Sequence, residues 1–257
     1  MYVELTRVEE FGLLALNRPE ALNALSFSIL REIADAIDAA AGMKDIRALF
    51  LTGAGSKAFC AGADIKELRN RSLLDQKRGA ELGQAAFAKL DRLPVPSIAL
   101  INGYAFGGGL ELALAATFRL ASANAAFGLP EVKLGLIPGY GGTQRLPRVI
   151  GEPRALEMIL TGRTVKAAEA VQIGLVHQLV EDGDLLDAGI AFARRFSCYS
   201  LPALEFARRA VQRAGDLPLH EGLQLEAELS TLAYRTADAE EGMAAFEEKR
   251  KPEFTDG

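Results

Sequence analysis

The stretch SIALINGYAFGGGLELALAA, residues 97–116, decides the fold class that the sequence indicates. It opens with an apolar run of five residues, which is typical of a strand covered on both faces. Asn102 and Gly103 close this run, and three more glycines precede the apolar residues from Leu110 to Ala116, which favour a buried helix. Comparable apolar runs at residues 13–16 and 48–51, with helical patterns between them, indicate an α/β fold with crossover connections.

The chain changes character from about Asp184, where one helical pattern follows another. We expect helices at residues 184–196, 201–213 and 219–249, the last of them broken near Thr236. The sequence therefore predicts an α/β core over residues 1–195 and a C-terminal helical region over residues 196–257.

Composition places the 257 residues among ordinary globular proteins, because 49% are hydrophobic and 25% are charged. The 29 basic and 34 acidic residues give a net charge of −5, which argues against a nucleic-acid partner. Two cysteines cannot form a disulfide framework, so we expect a reducing compartment. The N-terminus has no signal-peptide pattern, and the most apolar window, residues 97–118, carries Glu111 and four glycines. We therefore expect a cytoplasmic protein with no membrane span.

Common catalytic signatures are missing from the sequence. It contains no GxxxxGK[ST] phosphate loop and no GxSxG nucleophile elbow, and the glycines near residues 107 and 139 do not complete a GxGxxG pattern. The two histidines, His177 and His220, lie far apart in the chain, and we expect structural or surface roles for both. We therefore expect no metal site, and acid–base chemistry would come from carboxylates helped by backbone amides.

Glu111 is the only charged residue between Asn102 and Phe118. A carboxylate buried in this way is costly unless it is hydrogen-bonded, and its pKa should rise. The glycines before it allow backbone N–H groups to approach a ligand closely. The alternative is tight glycine packing around a satisfied internal carboxylate.

Two further segments accompany Glu111. Glu131 follows a proline and is either a second functional acid or a surface acid in a turn. Asp64 is expected to be the N-cap of a helix, with Glu67 three residues later completing a capping box. This interpretation does not exclude ligand contacts by the amides of the same loop. Cys60, four residues before Asp64, is expected to be a small buried filler.

Together these segments resemble the enoyl-CoA hydratase/isomerase (crotonase) family. The resemblance rests on the strings AGAD at residues 61–64, GYxxGGGxE at 103–111 and PExxLGxxPGxGGT at 130–143, and it extends over nearly the whole chain. It implies a crotonase-like spiral of ββα turns followed by a C-terminal helical trimerisation region. It also implies a homo-oligomer, either a trimer or a hexamer built as a dimer of trimers, and a substrate that is an acyl-CoA thioester. No cofactor is implied beyond the coenzyme A of the substrate.

The resemblance also assigns roles to individual residues. The paired catalytic glutamates correspond to Glu111 and Glu131, and the oxyanion-hole amides correspond to Ala63 and Gly108. An amide that helps to hold the water corresponds to Gly139. Contacts to coenzyme A, the last two of them supplied by a neighbouring subunit, correspond to Ala61, Asp64, Ile65, Lys66, Phe246 and Lys249.

Because both glutamates are present, the resemblance implies a 2-enoyl-CoA hydratase, a carbon–oxygen lyase of fatty acid metabolism, with Glu111 as base and Glu131 as acid. The division of roles between the two acids stays open, since a close pair titrates as a unit. The nearest alternative is a methylglutaconyl-CoA-type branched-chain hydratase, which residues 107–115 and 145–148 resemble. An enoyl-CoA isomerase and a non-catalytic acyl-CoA-binding relative are further alternatives. The acyl pocket is expected to be shaped partly by Phe87, Tyr104 and Tyr140.

Overall fold

The computed structural model describes residues 1–181 and 184–257. By its internal contacts the chain divides into two compact units, Met1–Ile190 and Ala191–Gly257. The strands of the described chain all lie in the first unit: β1 (Val3–Val8), β2 (Phe11–Leu16), β3 (Leu49–Gly53), β4 (Ala58–Cys60), β5 (Ser97–Ile101), β6 (Tyr104–Phe106), β7 (Phe118–Ser122), β8 (Ala126–Gly128), β9 (Val165–Lys166) and β10 (Gln178–Val180).

Helices separate these strands and then form the C-terminal part of the chain. The first eight are α1 (Phe27–Ala41), α2 (Ile65–Leu68), α3 (Leu73–Asp91), α4 (Gly108–Ala115), α5 (Gly142–Ile150), α6 (Glu152–Thr161), α7 (Ala167–Gln172) and α8 (Leu185–Ala193). The second unit contains α9 (Leu201–Arg213), α10 (Leu219–Ala233) and α11 (Ala237–Glu248). Two short 3-10 helices occur at Pro19–Ala21 and Pro130–Leu134.

The strands form two sheets that the chain visits in alternation. A six-stranded sheet has the order β1-β2-β3-β5-β7-β10, and a four-stranded sheet has the order β4-β6-β8-β9. Thus β3, β5 and β7 enter the first sheet in parallel, and the strand after each, β4, β6 or β8, enters the second. Among the described strands, the β1–β2 and β8–β9 pairs are the antiparallel ones. Helices follow each pair of strands, so the sequence of ββα turns matches the expected α/β spiral.

Burial explains why these segments form strands and helices. All five residues of β5 are buried, as expected for a strand covered on both faces. In α1, the apolar residues that recur at helical spacing form the buried face, and the Ser26 side chain caps the helix by accepting from Ile29 N–H.

Several boundaries agree with the sequence prediction and others differ. The strands expected at residues 13–16 and 48–51 extend over Phe11–Leu16 and Leu49–Gly53. The strand at residues 97–101 and the helix at 201–213 are confirmed, and Thr236 caps α11 at the expected break. Helix α4 begins at Gly108, two residues before the expected start, because Gly107 has φ +50° and serves as its N-cap. Helix α8 ends at Ala193 rather than near Phe196, since the next residues form tighter i→i−3 bonds such as Phe196 N–H to Ala193 C=O.

The predicted capping box at Asp64 is only half correct. The Asp64 side chain caps α2 by accepting from Lys66 N–H at 3.1 Å. Glu67 does not reach back to Asp64, because its Oε2 accepts from Phe27 N–H at 2.7 Å instead. This long-range bond ties α2 to the start of α1.

The last residues of the second unit are hydrogen-bonded to its helix α11. Buried Asp238 in α11 accepts from Thr255 N–H at 2.7 Å and from Asp256 N–H at 3.1 Å. Among the helices of residues 1–181 and 184–257, none combines the length and the hydropathy that crossing a membrane requires.

Candidate active site

Helix α4 begins at a turn that only glycines allow. Gly107 has φ +50°, and its N–H donates to the Gly128 carbonyl of β8 at 2.9 Å. A Cβ on Gly109 would overlap the carbonyl of Cys60, so glycine at this position lets α4 dock against the end of β4. Gly108 is therefore the first residue of a docked helix, where backbone N–H groups have no partner within the helix.

A second unpaired amide lies at residue 63. Leu25 N–H donates to the Gly62 carbonyl at 2.8 Å, and Asp64 N–H donates to the Leu25 carbonyl at 2.8 Å. Because successive residues of an extended chain point in opposite directions, Ala63 N–H faces away from Leu25. No acceptor in the described part of the chain bonds this N–H.

The two amide-bearing loops adjoin each other. The Gly62 Cα lies 3.7 Å from the position that a Cβ would take on Gly107. Ala63 and Gly108 are the next residues of these two loops, so the structure brings both candidate oxyanion amides to one place. An oxyanion hole requires two N–H donors directed at one oxygen position.

Glu111 lies one turn into α4 and is buried, with 1% of its surface exposed. Its Oε1 accepts from Tyr140 N–H at 2.8 Å and from Gly142 N–H at 2.7 Å, at the start of α5. Burial raises the pKa of this carboxyl to about 7, and the charge of Glu131 adds to the rise, while the amides oppose it. Both hydrogen bonds end on Oε1, so neither occupies Oε2.

Glu131 lies in the 3-10 helix that follows β8 and faces the same turn. Its Oε1 is 2.8 Å from the position of a Cβ on Gly107, one residue before the Gly108 amide. Its Oε2 is buried and has no hydrogen-bond partner among the residues that the structure describes. Burial raises the pKa of this carboxyl above its usual value. The structure therefore brings together two carboxyls whose pKa values are both raised.

The loop before α5 carries the other predicted amide, that of Gly139. The Gly139 carbonyl accepts from the Gln84 side chain of α3 at 2.9 Å, which fixes this peptide. Within the described chain, no group accepts from Gly139 N–H. The next residue, Tyr140, donates its N–H to Glu111. An unpaired amide thus lies next to one that orients the carboxylate.

The predicted coenzyme A loop is anchored by one ion pair. Arg18 Nη1 lies 2.9 Å from Asp64 Oδ2, and the guanidinium lowers the pKa of that carboxyl. Ile65 and Lys66 are exposed just beyond it, and Ala61 is partly exposed. The loop therefore presents the side chains of Ile65 and Lys66 to solvent.

The two remaining candidates for coenzyme A contacts lie in the second unit. Phe246 is 85% exposed on α11, which is unusual for a phenylalanine. Lys249 caps the end of the same helix with φ +57°.

The histidines have the expected roles. His177 Nδ1 accepts from Arg119 N–H at 3.2 Å, and burial lowers the pKa of the imidazole to about 4. His220 is exposed. The described ranges 1–181 and 184–257 contain no group of three or more His, Cys, Asp or Glu residues placed to hold a metal ion.

Sequence reasoning missed three groups that organise the site. Tyr140 N–H and Gly142 N–H hold Glu111, and Arg18 holds Asp64. The run of glycines at a helix start was the available signal for the first two, because such starts bind anions. No local signal identifies Arg18, since it lies 46 residues from Asp64.

Comparison with known proteins identifies the family. A family profile described as Enoyl-CoA hydratase/isomerase matches residues 8–257. The chain belongs to the enoyl-CoA hydratase/isomerase family. A family relative in Mycobacterium tuberculosis, named probable enoyl-CoA hydratase echA8, is 45% identical over 97% of this chain and 96% of its own. The crotonyl-CoA hydratase of Syntrophomonas wolfei is 40% identical, again over 97% of this chain and 96% of the relative.

A solved structure of the family supports the same assignment. The enoyl-CoA hydratase of Bacillus anthracis superimposes with a TM-score of 0.94, at 38% identity and with full coverage of both chains. The expected crotonase-type α/β fold is therefore confirmed, and the C-terminal helices are present.

Proposed function

We propose that this chain is a 2-enoyl-CoA hydratase that adds water to trans-2-enoyl-CoA and yields 3-hydroxyacyl-CoA. The observation that carries the proposal is the buried carboxyl of Glu111 and the half-buried Glu131, beside the unpaired amides of Ala63 and Gly108. Relatives at 40% and 45% identity carry the names crotonyl-CoA hydratase and probable enoyl-CoA hydratase. The class of reaction is that of a carbon–oxygen lyase.

The oxyanion hole would act on the thioester. When water attacks C3 of the conjugated bond, negative charge builds on the thioester oxygen. The N–H groups of Ala63 and Gly108 would donate to this oxygen, and removing one such donor typically costs about 10²–10³ in rate. Because both amides are held by the backbone, no side chain must reorganise during the reaction.

The two glutamates would divide the proton transfers. Glu111 Oε2 is free of the bonds that hold Oε1, so it would take a proton from water as the water oxygen bonds to C3. Glu131 would deliver a proton to C2, so the acyl part of the product carries no net charge. Glu111 would then hold one proton more and Glu131 one proton fewer, and exchange with solvent would restore both. The Gly139 amide would help to orient the water. Each such acid–base contribution is typically worth about 10²–10⁴ in rate.

We propose that two groups of residues, supplied by two different subunits, bind coenzyme A. Ala61, Asp64, Ile65 and Lys66 would contact the nucleotide end of the substrate. Phe246 and Lys249 would reach the same substrate from a neighbouring subunit, in a homo-oligomer that is a trimer or a dimer of trimers. We further propose a cytoplasmic enzyme of fatty acid metabolism that needs no metal and no cofactor other than the substrate's own coenzyme A.

Two arginines of the stretch that suggested the branched-chain alternative make contacts within the chain. Arg145 is bound to Asp91 through two contacts of 3.1 and 2.6 Å, and Arg148 donates to the Gln144 carbonyl at 2.7 Å. Arg145 is therefore held by an acidic partner within the chain, and a comparison of kcat/KM for crotonyl-CoA and methylglutaconyl-CoA separates the two hydratases.

The proposal is tested with purified protein and crotonyl-CoA. We expect loss of the absorbance of the conjugated thioester, with 3-hydroxybutyryl-CoA as the product identified by mass spectrometry. Tight binding without turnover would contradict the proposal in favour of a non-catalytic relative. Conversion of a 3-enoyl to a 2-enoyl thioester without hydration would identify an isomerase, and a higher kcat/KM for methylglutaconyl-CoA would identify the branched-chain enzyme.

A further inference from the structure

The ring of Tyr140 is clamped beside the candidate oxyanion hole. A Cβ on Gly83 of α3 would overlap one edge of this ring, and a Cβ on Gly108 would lie 3.1 Å from Cδ2 on the opposite edge. Phe87 contacts the same ring edge-on, with the ring centroids 5.8 Å apart. The ring is 8% exposed, so its position is fixed by packing on both sides.

Gly108 connects this ring to the substrate. If its N–H holds the thioester oxygen, the acyl carbons begin within one residue of the Tyr140 ring. The other neighbour of the Gly108 position is Leu25, whose Cδ1 lies 3.1 Å from the same hypothetical Cβ. An acyl group entering this site is therefore flanked by Leu25 and Tyr140.

The surroundings of the Tyr140 hydroxyl are charged. Burial raises the pKa of this phenol to about 12, the charges of Glu111 and Glu67 add to the rise, and Arg71 opposes it. Arg71 lies with its guanidinium 4.1 Å from the centroid of the Phe27 ring, and its Nε is buried with no partner in the described residues. Ionisable groups thus lie near the hydroxyl end of the ring.

We propose that the Tyr140 side chain closes the acyl end of the site and restricts the enzyme to short-chain enoyl-CoA substrates. This inference rests on the proposed hydratase function and names the residue that sets its substrate range. The ring, packed against Gly83, Gly108 and Phe87, supplies the wall. The backbone N–H of the same residue holds Glu111, so side chain and backbone have separate tasks.

The test compares kcat/KM for crotonyl-, hexenoyl-, octenoyl- and decenoyl-CoA in the wild type, Tyr140→Ala and Tyr140→Phe. We expect the wild type to favour crotonyl-CoA over decenoyl-CoA by about tenfold or more, in the range that pocket size typically contributes. Tyr140→Ala removes the wall and keeps the N–H, so it should shift this ratio by about tenfold towards the longer chain. Tyr140→Phe keeps the ring and should retain the wild-type ratio.

The ratio between two substrates does not depend on the fraction of active protein, so partial loss of folding does not obscure the result. Tyr140→Leu, which is smaller than tyrosine and apolar, serves as a second variant if the alanine variant does not fold. The inference is overturned if the wild type hydrates decenoyl-CoA as well as crotonyl-CoA, or if neither small variant changes the ratio. A wild type that hydrates no chain length overturns the proposed function as well, whereas an unchanged ratio with active enzyme overturns this inference alone.

Discussion

The burial of Glu111 lowers the stability of the folded protein and also suits the residue to act as a base. It is a nearly fully buried carboxyl whose pKa rises to about 7, and two backbone amides hold one of its oxygens. A base with a pKa near the working pH can take up a proton from water and return it to solvent readily. The raised pKa of Glu111 therefore leads to two predictions, one on activity and one on stability.

The first prediction concerns the pH dependence of activity. A base must be deprotonated, so kcat/KM for crotonyl-CoA should fall as the pH drops below about 7, approaching tenfold per pH unit. The midpoint belongs to the Glu111–Glu131 pair, since each charge affects the other. Initial rates at subsaturating substrate from about pH 5 to about pH 9 measure this limb. A flat profile down to pH 5 would contradict the assignment of Glu111 as base.

The second prediction concerns stability. For an acid whose pKa is raised by folding from 4.5 to about 7, the ionised form is penalised, so stability falls as pH rises through this window. At about 1.4 kcal/mol per unit, the loss is about 3 kcal/mol above pH 7. Glu111→Gln removes the charge and keeps an oxygen that can accept both amides. We expect it to be more stable than wild type at pH 8 and to lose most of this advantage below pH 5, as measured by urea unfolding.

At the level of single residues, the sequence predicted correctly that Glu111 is a buried carboxyl with a raised pKa, while its catalytic role stays a prediction. Glu111 is one charge in an apolar stretch, and a buried carboxyl with a raised pKa was the expected result. The groups that hold it were not predicted, because the Tyr140 and Gly142 amides lie about 30 residues away and act through backbone N–H groups that any residue other than proline possesses.

At the scale of elements, the site depends on how closely α4 approaches β4. Glycine at residue 109 permits this approach, and the positive φ of Gly107 turns the chain into the helix. The position of α5 matters equally, because its first amides hold Glu111. The two-contact ion pair between Arg145 of α5 and Asp91 of α3 fixes that helix.

The third prediction tests the approach of α4. Gly109→Ala places a methyl group against the Cys60 carbonyl, so we expect a loss of at least about 2 kcal/mol in unfolding free energy, or no soluble protein. Gly222→Ala is the matched control, since this glycine lies within α10 and a Cβ there would meet no atom within 4 Å. The control should gain about 0.5–1 kcal/mol. Equal effects of the two substitutions would contradict the docking argument.

Element boundaries were predictable where the signal is local. Thr236 is a local N-cap signal and marked the break between α10 and α11 correctly. At Asp64 the predicted N-cap was correct, but the Glu67 half of the capping box was wrong because Glu67 bonds to Phe27, which lies 40 residues away, and no local pattern contains that information. The start of α4 was placed late because glycine is a poor helix former, and docking overrides this propensity.

At the scale of the whole molecule, the apolar runs indicated α/β architecture with crossovers but not the division into two sheets. Each sheet pairs strands that are tens of residues apart, such as Leu49 of β3 with Ser97 of β5. The spiral arrangement came from the family resemblance of the motifs and not from periodicity. The predicted domain boundary between residues 195 and 196 stays a prediction. The compact units of the structure are Met1–Ile190 and Ala191–Gly257.

The fourth prediction concerns assembly and coenzyme A binding. Phe246→Ala and Lys249→Ala should each raise KM for crotonyl-CoA several-fold and leave kcat/KM for crotonyl-pantetheine, which lacks the nucleotide, within about twofold of wild type. Light scattering should give three or six times the 27.5 kDa of the chain. A monomer, or equal losses with both thioesters, would contradict the proposal that a neighbouring subunit supplies these residues.

The central claim is that Glu111 and Glu131 act together on one water molecule and one carbon–carbon double bond. Its most direct test is the rate of crotonyl-CoA hydration by Glu111→Gln and Glu131→Gln, with Glu152→Gln, an exposed glutamate in the first turn of α6, as the matched control. We predict that kcat falls by about 10²–10⁴ in each site variant, while the control stays within about twofold of wild type. Near-wild-type turnover in either site variant would contradict the claim.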